Sequence, residues 1–195
     1  TIVEGWTWKK LWGELNNDKR IVHSSEHQVF EFFKSIDNDA RIFSSLEGAF
    51  LPDTYHFSSG VRDIDVLAHA YTAKDRYMQT AWQERTKTNH ITTPYQAIII
   101  ASLIERESRW QPEYAHISSV IHNRLTTGMP IQIDAAVLYG RDSSIRGPLT
   151  VRDLRLDGPF NTYRRKGLPK HAISYPSKKA IHVALNPINS DDLYY

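Results

Sequence analysis

An acidic residue closes an apolar helical run and is followed directly by a serine. Within the segment IIIASLIERES, four residues recur at helical spacing and share one face, namely Ile100, Leu103, Ile104 and Glu107. The face that buries the aliphatic side chains therefore also carries Glu107 toward the interior or the lip of a cleft. Burial favours the neutral acid and raises its pKa, which makes Glu107 a candidate proton donor. Spacing alone leaves open the alternative that Glu107 is an ordinary surface carboxylate beside a basic neighbour.

The other charged residues of this segment are expected on different faces of the helix. Glu105 and Arg109 stand four residues apart, so the sequence predicts an ordinary surface ion pair between them. A cation too close to Glu107, such as Arg106, would favour the charged form and oppose proton donation. We therefore expect Glu105 to be a solvated neighbour of Glu107, and these surrounding charges need no catalytic explanation.

Three segments downstream combine polar side chains with turn residues. Their amide, hydroxyl and carboxylate groups suit the hydroxyls and acetamides of amino sugars. Taken singly, each has a local alternative, because Asn161 and Thr162 can hold a turn and Asp134 can pair with an arginine. As a set they predict a substrate-binding cleft that contains Asn123, Gln132, Asp134, Asn161, Thr162 and Tyr163.

Composition narrows the class of protein. The 195 residues are 41% hydrophobic and 24% charged, which fits one globular domain over residues 1–195. The net charge of +2 is spread without a basic block, so we predict no nucleic acid partner. The chain has no cysteine, which excludes thiolate chemistry. His23 and His27 lack the acidic signature of a metal site, and no glycine-rich phosphate loop is present, so we predict neither a metal nor a cofactor.

The hydrophobic pattern predicts a mainly helical α+β domain with short strands and a long, turn-rich C-terminal part. An aromatic loop at residues 46–57 is a candidate cleft wall. Helices are expected near residues 63–84, from Pro94 to a stop at Pro112, at 115–126 and at 176–185, and strands at residues 1–3 and 131–134. No apolar run approaches the roughly 20 residues that span a bilayer. Because Thr1 begins without leader features, we expect a soluble part of a longer protein.

Six segments, in order, resemble the endolytic murein transglycosylases of the MltG/YceG-like family. The segment IIIASLIERES, continuing to RWQP, resembles the glutamate-serine motif of lytic transglycosylases, in which the glutamate before the serine is the catalytic acid. The other matching segments are VEGWTW, LEGAFLPDTYHF, VIHNRLTTGMPIQIDAAVLYG, PFNTYRRKGLP and ALNPINSDDLYY. Together they extend over nearly the whole chain.

The resemblance implies a lysozyme-like active-site helix with Glu107 as the catalytic residue and the six polar residues named above in the glycan cleft. It implies cleavage between N-acetylmuramic acid and N-acetylglucosamine without water, which leaves a 1,6-anhydro end, and no cofactor. Family members usually have an N-terminal membrane anchor and a LysM-like region, which we expect to be missing from this chain. They work in the cell envelope, at the periplasmic face of the cytoplasmic membrane, beside peptidoglycan synthases such as penicillin-binding proteins.

Two other functions stay open at this point. A hydrolytic muramidase would need a second carboxylate, such as Asp134, close enough to activate water. A glycan-binding module without catalysis would use the aromatic residues 50–57 and would not require Glu107.

Overall fold

The fold is built from helices. The computed structural model describes residues 1–37, 45–142 and 147–195. Within these ranges the helices are α1 (Trp8–Asn17), α2 (Glu26–Ile36), α3 (Asp63–Gln83), α4 (Pro94–Glu107), α5 (Tyr114–Thr127), α6 (Asp134–Gly140), α7 (Val151–Arg155) and α8 (Lys178–Leu185). The predicted mainly helical class is confirmed. None of the helices in these ranges is long and apolar enough to cross a membrane.

The strands predicted at residues 1–3 and 131–134 are wrong. Over the described ranges, β-pairing is confined to isolated bridges, which join Ile2 to Asp53, Val22 to Arg62 and Pro130 to Lys166. The α+β expectation therefore reduces to a helical fold with single bridges between loop segments.

Residues 131–134 show why the alternation of the sequence was misleading. Ile131 and Ile133 are both buried, as a strand pattern predicts. Gln132 between them has a left-handed backbone with a φ of 57°, which no regular strand contains. Asp134 is the first residue of α6, where a carboxylate is favoured by the positive end of the helix dipole.

The central helix of the fold is α4. Its start is capped by Thr93 and Gln96, which exchange hydrogen bonds of 3.1 and 3.3 Å, and Pro94 occupies the first turn. Every residue from 97 to 104 is buried, and the helix contacts α5, α6 and α8. A helix buried on all sides has its end fixed by the elements that enclose it. Glu107 therefore comes to lie where the core meets the surface.

The chain turns immediately after Glu107, earlier than the stop predicted at Pro112. Ser108 has an extended backbone, its hydroxyl donates to the Glu113 carboxylate at 2.6 Å, and it accepts from the Trp110 N–H at 3.0 Å. Pro112 lies in a separate 3₁₀ turn, Gln111–Glu113. The serine of the motif thus ends the helix, because its hydroxyl satisfies backbone and side-chain groups outside it.

A second core of aromatic side chains forms beside α4. Phe50 is fully buried, and its ring centroid lies 5.0 Å from that of Phe33, 5.7 Å from Tyr175 and 6.1 Å from Trp8. The expectation that the aromatic loop lines a cleft is therefore wrong for Phe50. Its ring is an interior side chain that joins the loop to α1 and α2.

Gly48 lets the loop that carries Phe50 approach α4. Its φ is 72°, a region that residues with a Cβ avoid. A Cβ at this position would lie 2.6 Å from Ile98 Cγ2 and 2.8 Å from Ala172 Cβ. Both neighbours are buried, so the added atom has no space to enter.

We expect Gly48→Ala to lower the free energy of unfolding by about 2–4 kcal/mol, because backbone strain and overpacking act together. Urea unfolding followed by circular dichroism measures the change. Gly13→Ala is the matched control, since Gly13 lies inside α1 and a Cβ there meets nothing within 4 Å. The control should gain up to about 1 kcal/mol from helix propensity. Wild-type stability of Gly48→Ala would contradict the close approach of loop and helix.

Glu47, next to Gly48, is a buried carboxyl. It is 4% exposed, and its Oε1 atom accepts from the Tyr139 hydroxyl at 3.2 Å. Within the described part of the chain, Oε2 is buried without a hydrogen bond of normal geometry. Burial raises the pKa of Glu47 to about 7, against smaller lowering effects from the Trp8 backbone, Tyr139 and Arg106. The folded protein therefore keeps a proton here at mildly acidic pH.

This buried acid makes stability depend on pH. The unfolded carboxyl ionises near its ordinary pKa of 4.5 and the folded one near 7, so wild-type stability falls as pH rises between these values. We expect Glu47→Gln to be more stable than wild type by about 2–3 kcal/mol at pH 8, and close to wild type at pH 4.5. Urea unfolding at pH 4.5, 6 and 8 measures the difference. A difference that stays constant with pH would contradict the assignment to Glu47.

Candidate active site

The Glu107 carboxyl is half-buried at the last turn of α4. Burial raises its pKa above the usual value for a glutamate, and the negative charge of Asp134 raises it further. A hydrogen bond with Tyr195 and the positive charge of Arg124 act in the opposite direction. Glu107 therefore holds a proton more readily than a solvated carboxyl, as expected from its place on the apolar face.

Asp134 and Tyr163 form a hydrogen-bonded pair next to Glu107. The Tyr163 hydroxyl donates to Asp134 Oδ1 at 2.5 Å. Burial, followed by this hydrogen bond and the charges of Asp134 and Glu107, raises the pKa of Tyr163 to about 12. Asp134 is exposed at the start of α6 and pairs with this tyrosine, whereas the sequence suggested an arginine. The structure thus brings three predicted site residues together.

Arg124 supplies a fixed positive charge beneath this group. Its side chain is buried on α5, where Nε donates to the Leu193 carbonyl at 2.8 Å and Nη1 donates to the Ile131 carbonyl at 2.5 Å. Both acceptors are uncharged carbonyls, so neither bond places a counterion against the guanidinium. That charge lowers the pKa of Glu107, of Tyr163 and of Tyr195.

Thr162 holds the segment that leads into α6. Its hydroxyl accepts from the Ile133 N–H at 2.9 Å and donates to the Ile133 carbonyl at 3.2 Å. The Thr162 carbonyl also accepts from the Gln132 N–H at 2.9 Å. These bonds stabilise the left-handed backbone of Gln132, a conformation that costs on the order of 1 kcal/mol or more. Gln132 is half-buried. It follows Ile131, whose carbonyl accepts from Arg124, and lies two residues before Asp134.

Asn161 and Asn123 are engaged by the backbone of this chain. The Asn161 amide donates to three carbonyls at the end of α7, the nearest being Leu156 at 2.6 Å, and its Oδ1 accepts from the Tyr163 N–H at 3.0 Å. The Asn123 amide donates to the carbonyls of Ser190 at 2.7 Å and Asp192 at 2.8 Å. These bonds correspond to the turn-holding alternative for Asn161, and they occupy groups that the sequence analysis offered to a glycan.

Glu105 is not the solvated partner of Arg109 that the sequence predicted. Its Oε1 accepts from the Tyr114 hydroxyl and its Oε2 from the Ser177 N–H, both at 2.9 Å. Ser177 caps α8, so Glu105 joins α4 to that helix start. The physical reason is that Glu105 faces neighbouring helices, and partners distant in sequence outcompete the exposed Arg109.

The other aromatic residues of the loop face a different region. Tyr55 and Phe57 line a cleft of about 330 Å³ together with Trp6 from the N-terminal segment. Glu107 does not line this cleft. Among the described residues, no group of three or more His, Asp or Glu side chains is arranged to hold a metal ion.

Two members of the candidate site were not found from the sequence. Arg124 stands at helical spacing with the buried Ile117, Val120 and Ile121 of α5, so a cation on an apolar face was the available signal. Tyr195 had no signal of its own, because its contact with Glu107 joins residues far apart in the chain.

The chain is similar in sequence to curated proteins that share one description. An endolytic murein transglycosylase of Bacillus subtilis (strain 168) is 31% identical over 187 residues, which cover 91% of this chain and 51% of the relative. A protein of the same description from Streptococcus pneumoniae serotype 2 is 29% identical over 155 residues, which cover 77% of this chain and 28% of that protein. The chain thus spans about half the length of the Bacillus relative and less than a third of the Streptococcus relative.

The fold is also found in a crystal structure. A YceG-like protein of Listeria monocytogenes superposes with a TM-score of 0.71 at 24% identity, over 99% of this chain and 67% of that one. At this identity the similarity concerns the fold alone. The sequence model of the YceG-like family matches residues 1–195. The chain therefore belongs to this family.

Proposed function

We propose that this chain is the catalytic part of an endolytic lytic transglycosylase that cleaves peptidoglycan glycan strands. The observation that carries the proposal is the half-buried Glu107 carboxyl with its raised pKa, at the end of a fully enclosed helix. The Bacillus and Streptococcus relatives, both described as endolytic murein transglycosylases, support the same activity.

In the proposed reaction, one carboxyl acts twice. Protonated Glu107 donates its proton to the glycosidic oxygen as the bond from the muramoyl anomeric carbon to that oxygen breaks. The muramoyl C6 hydroxyl then bonds to the anomeric carbon, and its proton passes to the Glu107 carboxylate. The products are a free N-acetylglucosamine hydroxyl and a 1,6-anhydro-muramoyl end. Water is not consumed, and Glu107 returns to its protonated form.

The residues around Glu107 have distinct proposed roles. The negative charge of Asp134, oriented by the Tyr163 hydroxyl, favours the protonated acid and can stabilise positive charge on the sugar ring in the transition state. Gln132, fixed in an unusual backbone conformation, is our candidate for contact with an acetamide group. The sequence predicts Asn123, Asn161 and Thr162 in the glycan cleft. Their hydrogen bonds to backbone carbonyls support a different role, in which they hold the segments around the site in position.

The proposed reaction also indicates the substrate, the cofactor requirement and the cellular location of the full protein. A glycan strand is the proposed substrate, and no cofactor is needed because the substrate supplies its own nucleophile. We propose that the full protein works at the periplasmic face of the cytoplasmic membrane, where peptidoglycan synthases would supply nascent strands whose length it limits.

We expect Glu107→Gln to lower turnover of purified peptidoglycan by about 10² to 10⁴-fold, because glutamine cannot transfer a proton. Mass spectrometry of the products detects 1,6-anhydro ends, which should appear with wild type and vanish with the variant. Glu31→Gln, an exposed change on α2, is the control and should retain activity. Products that carry oxygen from isotopically labelled water would overturn the transglycosylase assignment in favour of a hydrolase.

A hydrolytic muramidase is the second candidate, because Asp134 lies close enough to raise the pKa of Glu107. Asp134→Asn separates the two functions. For a transglycosylase, loss of the negative charge lowers the pKa of Glu107, so the alkaline limb of kcat/KM moves to lower pH by up to about one unit. For a hydrolase that needs Asp134 as base or nucleophile, turnover falls by about 10²-fold or more at every pH. Because loss of the Asp134 charge can also slow a transglycosylase, the pH profile of kcat/KM is read together with the products: 1,6-anhydro ends in the residual products of the variant support the transglycosylase, and reducing ends formed with water support the hydrolase.

A further inference from the structure

Residues 151–170 concentrate positive charge in one short part of the chain. The segment contains six lysines and arginines against two aspartates, a formal net charge of +4, whereas the whole chain carries +2. Apolar and turn residues separate these cations in the sequence, so they do not form a continuous basic block. A local surplus of this kind is a property of one surface and is hidden in the nearly neutral total.

Hydrogen bonds close residues 159–170 into a loop with a defined shape. The Lys170 N–H donates to the Pro159 carbonyl at 3.2 Å, and Lys166 forms an isolated antiparallel bridge with Pro130. Gly167, which lies between the two lysines, has a φ of 82° and allows the chain to change direction there. Backbone contacts therefore hold both lysines in place.

The loop contains a pocket of about 370 Å³ with a cationic lining. Arg165, Lys166 and Lys170 line it, and among the described residues that do so there is no carboxylate. Arg165 already has a counterion, because its Nε and Nη2 atoms donate to the Asp157 carboxylate at 2.8 and 2.9 Å.

Lys166 and Lys170 differ from Arg165 in having no acidic partner. Within residues 1–37, 45–142 and 147–195, neither lysine forms an ion pair. Both side chains are exposed. Two positive charges at a concave surface are therefore available to an anion from outside the chain.

The pocket is adjacent to the candidate active site. Thr162 lines the pocket, and its hydroxyl bonds to the backbone of Ile133, the residue before Asp134. The next residue, Tyr163, donates to the Asp134 carboxylate. Three peptide units lead from Tyr163 to Lys166, and they cover at most about 11 Å. A short chain attached to a sugar beside Asp134 can therefore reach the two lysines.

We propose that this pocket binds carboxylates of the short peptides that the muramoyl residues of a glycan strand carry, through Lys166 and Lys170. The inference rests on the proposed function and adds a selectivity to it. Charge complementarity supports this occupant, because such peptides carry free carboxylates, whereas a muramoyl residue joined to its peptide has no ionised group on the sugar itself. The enzyme thus prefers strands whose peptides are present and ionised.

Binding of two forms of one substrate tests the proposal. Fluorescently labelled soluble strands are used with their peptide carboxylates free, or converted to amides with carbodiimide and ammonia, and the Glu107→Gln protein prevents cleavage. Fluorescence anisotropy should give a Kd about 3- to 10-fold lower for the free carboxylates, and added salt should reduce this ratio because exposed charges are screened.

The double variant Lys166→Gln/Lys170→Gln should bring the ratio of the two Kd values close to one. Lys9→Gln/Lys19→Gln is the matched control, since it removes the same charge from two exposed lysines outside the pocket and should keep the ratio. Circular dichroism of each variant verifies the fold. Equal binding of the two strands, binding of neither, or an unchanged ratio in the folded pocket variant overturns the proposal.

Asp157→Asn tests the same pocket in the opposite direction. It frees Arg165 from its counterion, so the ratio should rise by about twofold or more. Glu31→Gln is the matched control, because it disrupts an exposed ion pair with Lys34 on α2 and should leave the ratio as it is. A ratio that rises equally in both variants would show a general effect of net charge and would contradict a role for Arg165 in the pocket.

Two further outcomes separate this proposal from its alternatives. Sedimentation with phosphatidylglycerol vesicles that requires Lys166 and Lys170, without a preference for free carboxylates, would overturn it in favour of a lipid surface. The binding ratio does not depend on turnover, so it can hold when the products lack 1,6-anhydro ends and can fail when they contain them. The selectivity and the proposed function can therefore fail separately.

Discussion

The enclosure of α4 is the constraint on which the rest of the structure depends. Residues 97–104 are buried around the whole circumference of the helix, so α5, α6, α8 and the loop at Gly48 must all close against it. Because the helix cannot rotate or slide without exposing apolar surface, the position of Glu107 is fixed by packing far from the carboxyl itself. A proton donor that has to meet a large substrate benefits from such a rigid support.

The same enclosure brings groups with opposite effects on the pKa of Glu107 close to its carboxyl. Burial and Asp134 favour the protonated form, while Arg124 and Tyr195 favour the ionised form. A carboxyl that gives up a proton in one step and takes one up in the next works best when neither state is strongly preferred. At Glu47, by contrast, burial outweighs the lowering effects of its neighbours and raises the pKa to about 7.

Local signals in the sequence predicted the parts of the fold that local physics controls. Helix α5 ends at Gly128 with a φ of 68°, as its glycine indicated, and Pro94 begins α4 as expected. The strand at residues 131–134 failed because two buried isoleucines two positions apart satisfy a strand pattern as well as an irregular segment. The left-handed Gln132 depends on Thr162, which is distant in sequence, and no local rule anticipates it.

In the candidate site, too, local sequence patterns indicate some features, and contacts between distant parts of the chain decide the others. Spacing placed Glu107 on the apolar face, and the family resemblance then implied its catalytic role, but the residues around it gain their proposed roles from contacts across the chain. Asn161 and Asn123 have the same amide chemistry as Gln132, yet their hydrogen bonds go to backbone carbonyls of this chain. Side-chain type alone therefore predicts that a polar residue belongs near the site and leaves its task undetermined.

The burial of a polar side chain, taken together with its hydrogen-bond partners, distinguishes residues that hold the structure from residues that can contact a substrate. A buried polar group must be satisfied within the chain, so Arg124, Asn161 and Thr162 hold the scaffold wherever they lie relative to a substrate. A group at the boundary, such as Glu107 or Asp134, can exchange a protein partner for a ligand without leaving an unsatisfied atom in the core. The enclosure of α4 creates this boundary at one helix end, which is why a single carboxyl there can carry both halves of the proposed reaction.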